Sequence, residues 1–211
     1  DERLRAAATG EELPDPPRIY ADLVSVKIGF GTTFVYEVML IAVVGILTRS
    51  EGTRALVRTF RMNTYQFDDV WRPALAVIVA YAAVLSYALI LQALDLDWLE
   101  PRSTVPDAVT RDPLALAMAG VLACLVAPFG EELFFRGLVF TGLIRWGFLP
   151  AAAISAFVFT LAHIDIGSLI PFFLVGLVMA YLYWWRGNLW DSIIFHFLFN
   201  SISFLLLLSR T

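Results

Sequence analysis

Gly130-Glu131-Glu132-Leu133-Phe134-Phe135-Arg136-Gly137 sets three charged side chains between two apolar runs, Leu122 to Ala127 and Leu138 to Phe140. On insertion scales each such charge costs roughly 2.5–3.5 kcal/mol at mid-bilayer. Charges in that position pair, line a wet cavity or do chemistry. Read as a helix, the stretch places Glu132 and Arg136 four residues apart on one face, which suits an ion pair. Glu131 lies about 100° further round the helix. Its i+4 position is Phe135, so it has no local cation. Taken alone, the stretch fits a structural salt bridge with a spare glutamate as well as it fits a catalytic site.

The surrounding chain fixes the medium. Its 211 residues are 59% hydrophobic and 16% charged, with mean hydropathy +0.75. Globular chains run nearer about 45–50% apolar and about 25% charged. The composition is that of an integral membrane protein. A net charge of −4 gives no footing for a nucleic-acid partner. The single cysteine, Cys124, sits in an apolar run and reads as a small buried hydrophobe. The chain begins at Asp1 rather than Met, so preceding residues are expected. The first apolar run is too long, and too far into the chain, for a signal-peptide core.

In order, residues 1–27 read as a polar tail broken by Pro14-Asp15-Pro16-Pro17, with a short interfacial segment at Ile19–Val26. Residues 28–112 read as two N-terminal spans, Ile28–Thr48 and Pro73–Leu94, joined by a basic loop. Glu37, inside the first span, has no partner that spacing supplies; it is expected to bond a neighbouring helix or face a wet groove. Arg49, Arg54, Arg58, Arg61 and Arg72 make the loop cytoplasmic by the positive-inside rule. Ala55-Leu56-Val57 and Phe60 among them predict an amphipathic surface helix. The acidic, Pro-containing loop 95–112 is then external.

Residues 113–211 form the membrane core. Ala115, Ala119, Ala123 and Ala127 make a small-residue stripe for close helix packing. Pro128 and Gly130 weaken the helix just before the acidic motif. The segment 113–145 is therefore compatible with one kinked helix, a broken span with a re-entrant part, or two crossings. Phe148–His163, Ser168–Trp185 and Leu189–Leu208 complete a polytopic all-α bundle of six to eight membrane segments. No period-2 alternation suggests a barrel.

Both histidines fall in this core. His163 has Phe159 four residues before it, placed to wall off and orient its ring; His196 has Asn200 four residues after it, on the same helix face. A buried carboxylate and a neutral imidazole can together hold and deprotonate a water. An imidazole and an amide side by side can donate to an oxyanion. Glu131, His163, His196 and Asn200 thus supply the parts that peptide hydrolysis needs, without a metal or other cofactor. There is no nucleophile-elbow serine and no HExxH.

The ordered set Glu131-Glu132-xxx-Arg136, Phe159-xxx-His163 and His196-xxx-Asn200 resembles the CPBP family of intramembrane glutamic proteases, also called Abi. That family includes CAAX-prenyl endopeptidases and bacteriocin-processing or immunity proteins. The likeness covers roughly residues 114–204. It implies that Glu131 and His163 activate the water, that His196 and Asn200 stabilise the oxyanion, and that Glu132, Arg136 and Phe159 support the site. It also implies a multi-pass protein of the bacterial plasma membrane. The partners expected are the lipid bilayer, a peptide or membrane-protein substrate and a membrane-protein complex. Two other readings stay open. One is a metal-dependent hydrolase with Glu131, His163 and His196 as ligands; the other is a non-catalytic immunity or scaffold subunit.

Overall fold

The structure is a computed structural model that describes residues 23–49, 52–96, 99, 109–110, 112–163 and 165–209. Among the described residues there are seven helices and no strand. They are α1 (Leu23–Leu47), α2 (Thr53–Thr59), α3 (Trp71–Ala93), α4 (Pro113–Trp146), α5 (Phe148–Ala162), α6 (Leu169–Arg186) and α7 (Leu189–Leu208). Five of them, α1, α3, α4, α6 and α7, are long and apolar enough to cross a membrane; α5, at 15 residues, is shorter. Residues 1–22 of the expected tail 1–27, and most of the loop 95–112, lie outside the described residues.

α1 begins at Leu23, five residues before the start expected at Ile28. Lys27 is the last residue of the expected tail 1–27. In the fold its ammonium reaches the Asp112 carboxylate at 2.9 Å, so the helix runs through it. Asp112 also caps α4, accepting from the Ala115 N–H at 2.7 Å, and Pro113 occupies the first turn, where its missing donor does no harm. These bonds hold the Asp112 carboxyl below its ordinary range, the Ala115 N–H being the larger cause and Lys27 the next. The start of α1 is thereby tied to the start of α4. The expected surface helix exists as α2. Arg54 and Arg58 point to solvent, but Leu56 and Val57 pack with buried Phe60 against the protein core rather than lie on lipid alone.

The segment left open at 113–145 is one continuous helical path, 34 residues long. At 1.5 Å per residue that is roughly 50 Å, longer than a ~30 Å hydrocarbon core. Two stretches of it are wound more widely, as π-helix: Leu122–Val126 and Leu133–Phe140. The first wide stretch ends two residues before Pro128, whose ring clashes with the carbonyl four residues back and which has no N–H to donate. Widening the turn absorbs the proline without breaking the helix. Carbonyls in both wide stretches accept side-chain bonds: Ala123 from Asn200 at 2.7 Å, Phe135 from Ser155 at 2.8 Å and Arg136 from Thr141 at 3.0 Å. Hydroxyl and amide donors thus fasten α5 and α7 onto α4. The alanine stripe packs as expected at Ala115 and Ala119, in a cluster with Val26 and Phe204.

Candidate active site

Glu131 and Glu132 sit on the short α-helical turn of α4 between its two π-helical stretches. Glu132 and Arg136 are both fully buried and paired, Nη1 to Oε1, at 2.7 Å. The ion pair read from i,i+4 spacing is present. Arg136 also donates from Nη2 to the Gly176 carbonyl of α6 at 3.1 Å and lies 4.6 Å over the Phe159 ring. Gly176 is what permits this: a Cβ there would lie 2.9 Å from the Ala156 Cβ and 3.4 Å from Arg136 Nη2. The guanidinium therefore has a carboxylate, a carbonyl and an aromatic face as partners.

His196, on α7, stands between the two glutamates. Its Nδ1 is 3.1 Å from Glu132 Oε1 and its Nε2 is 3.9 Å from Glu131 Oε2. The same Glu132 oxygen accepts from Arg136 Nη1, and, read as an acceptor toward the imidazole as well, it takes the hydrogen that Nδ1 donates. Nε2 is thereby aimed at Glu131. The Glu131 Oε2 atom is buried and has no hydrogen-bond partner, as has Glu132 Oε2. So Glu131 has no local cation along its own helix, as its spacing indicates, but it faces an imidazole from α7. That juxtaposition is tertiary and left no mark in the spacing.

His163 caps the C-terminus of α5 and is partly buried. Its Nδ1 lies 2.9 Å from the Phe159 carbonyl oxygen. A carbonyl only accepts, so Nδ1 carries the hydrogen and a neutral ring leaves Nε2 as an acceptor. Phe159 contacts both imidazoles, with ring centroids 4.6 Å from His163 and 5.8 Å from His196. The expected wall beside His163 is there, and the same ring links it to Arg136 and His196. The Phe172 ring also contacts His163, with centroids 4.5 Å apart, and lies 6.3 Å from Phe159. Fifteen residues of α5 rise about 22 Å, so His163 at its end stops short of spanning a ~30 Å core.

Asn200 shares the His196 face, as its spacing predicts, and both side chains reach α4. Its amide N–H is engaged by the Ala123 carbonyl. The amide has a second N–H. Among the described residues no three His, Cys, Asp or Glu side chains converge as a metal site requires. Glu37, the acid of α1 without an assigned partner, is 1% exposed, and its Oε2 is buried without a hydrogen-bond partner. It packs against Gly130, where any Cβ would collide with that carboxylate. Glu37 and Glu131 therefore flank the same glycine. Ser155 and Gly176, which fasten α5 and α6 around Arg136, went unread in the sequence; their small side chains were the available signal.

Residues 113–202 match the family model described as type II CAAX prenyl endopeptidase Rce1-like, a CPBP-family model. Through this segment, which is less than half of the chain, the protein is similar to the CPBP family. Neither a curated protein nor a solved structure matches the chain. The Rce1-like segment runs from the first turn of α4 into α7 and holds Glu131, Glu132, Arg136, Phe159, His163, His196 and Asn200. α1, with Glu37, and α3 lie outside it. The chain is an integral, multi-pass membrane protein, and its segment 113–202 is similar to a family of proteases.

Proposed function

We propose that the chain is a metal-independent glutamic endopeptidase that cuts a membrane-associated peptide, with Glu131 as general base. The observation that carries this reading is the orientation of His196. Glu132, fixed by Arg136, holds Nδ1, and Nε2 faces the unpartnered Glu131 carboxylate. Glu131 and the free Nε2 of His163 share a water; Glu131 takes its proton as the oxygen attacks the scissile carbonyl carbon. The electron pair moves onto the carbonyl oxygen. His196, when Nε2 is protonated, and the second N–H of Asn200 donate to that oxyanion. Collapse breaks the C–N bond, and the proton held at Glu131 passes to the leaving amine. The products are a carboxylate and an amine, with no covalent intermediate. Arg136 supplies the site's fixed positive charge, the task a cation would otherwise perform.

The substrate we infer is a peptide or membrane protein presented at the bilayer, and the residence we infer is a bacterial plasma membrane. Comparing the proteomes of membranes that carry the wild type or Glu131→Ala tests the reading. A defined peptide should accumulate uncut with the variant. Identical processing with both proteins favours a partner-binding role instead, and inhibition by chelators reversed by zinc favours the metal-dependent one.

A further inference from the structure

A cavity of about 740 Å³ opens between α3, α5 and α6, away from Glu131, His163 and His196, none of which lines it. Its walls are apolar: Leu75 and Val79 from α3, Leu149 and Ala153 from α5, Leu177 and Tyr181 from α6. The alanines of α5 leave the room, and α6 forms the floor. The volume is within the range of pockets that hold whole organic ligands. Water has no polar partners there, so in a bilayer a hydrocarbon chain fills it.

One end of the groove is different. Trp71, Arg72 and Trp185 form it, and the Arg72 guanidinium lies 5.1 Å from the Trp71 ring and 6.0 Å from the Trp185 ring. Tryptophan and arginine together mark headgroup level. Arg72 pairs with Asp69, and Arg186 Nη2 reaches the same carboxylate at 2.5 Å. Arg61 brings a third guanidinium to Gly187, beside Arg186. Against these three cations stand Asp69 and Asp191, the latter fully buried and 3.9 Å from Arg186 Nε. Burial, with Asp191 and Asp69 nearby, pushes the Tyr65 phenol up to about 12, so Tyr65 adds no charge. Asp68, exposed on the same turn as Asp69, is a third acid; with Arg54 and Arg58 of α2 included, residues 52–72 and 186–191 hold five arginines against three aspartates, a surplus of positive charge at the end where the groove opens.

We propose that this groove is a binding site for an anionic phospholipid of the bilayer. One acyl chain lies along Leu75, Ala153 and Leu177, and the phosphate sits at Arg72, with Arg61 and Arg186 behind it. An anionic headgroup is chosen over a zwitterionic one because the surplus charge is unopposed and basic clusters at this level attract anionic lipid. The site does not depend on the proposed catalytic role.

The test uses the purified full chain in nanodiscs of phosphatidylcholine containing a minor fraction of phosphatidylglycerol with identical chains. Lipid retained after detergent transfer is counted by native mass spectrometry. The expected result is one phosphatidylglycerol per chain. Arg72→Gln should weaken retention about fivefold, as removal of one arginine near a membrane surface predicts. Ala153→Trp fills the groove and should abolish retention; Leu177→Phe is a milder filler should the first variant fail to fold. Equal retention of the two lipids, retention unchanged by the fillers, or displacement of phosphatidylglycerol by inorganic phosphate alone would overturn the proposal.

Discussion

Two clusters of acids and arginines are built from the same side chains and live in opposite surroundings. At the centre, Glu132 and Arg136 are both 0% exposed, with Glu131 and His196 nearly so. At the basic end, Arg72, Arg186 and Asp69 keep 17–30% of their side-chain surface. The first cluster has given up solvation entirely, so each member depends on the others. The second remains within reach of solvent and headgroups, where a lost partner is replaced. The same pairing is structural necessity in one place and an adjustable surface charge in the other.

The comparison is broken most directly at Arg136. Arg136→Ala leaves Glu132 buried without a cation and should cost roughly 3–5 kcal/mol of stability. Thermal unfolding in detergent reads this out. Arg136→Lys should recover part of the loss, because a lysine reaches one partner where the guanidinium holds Glu132 and the Gly176 carbonyl together.

A smaller effect sharpens the picture of how tightly the centre is closed. Gly130→Ala drives a methyl group into the Glu37 carboxylate. Overpacking of this kind should cost about 1–3 kcal/mol. Glu37→Ala should relieve most of it, so the double variant is expected to melt above Gly130→Ala alone. Additive losses would mean that Glu37 does not face Gly130.

The smallest effect belongs to the basic end. Asp69→Asn frees Arg72 and Arg186 and should change stability by less than about 1 kcal/mol. Added salt should shrink the difference further, while the Arg136→Ala deficit should be insensitive to salt. Melting curves of both variants at low and high ionic strength make the contrast measurable.

These contrasts explain what the sequence disclosed. The Glu132–Arg136 pair was legible because both residues lie on one helix with a four-residue spacing. Phe159 beside His163, and Asn200 on the His196 face, were legible for the same reason. The approach of His196 to Glu131 was not, because α4 and α7 meet through packing that no local spacing records. The course of 113–145 was ambiguous because Pro128 normally interrupts a helix. Here the wide turn at Leu122–Val126 absorbs it, and Asn200 satisfies the Ala123 carbonyl within it. The early start of α1 was hidden by Lys27, whose charge reads as a boundary until Asp112 is seen to pair with it. Glu37 stood out as a buried acid, yet its position against Gly130 depends on α1 docking on α4.

The central claim is that Glu131 acts as a base while the charges around it hold the site in place. The direct measurement is cleavage by purified protein in liposomes, comparing wild type with Glu131→Gln, using a peptide identified from the membrane proteome. Glutamine keeps the shape and removes the basicity. The account predicts an unchanged melting temperature, near-unchanged substrate binding and turnover reduced to the limit of detection. Substantial cleavage by Glu131→Gln would contradict it.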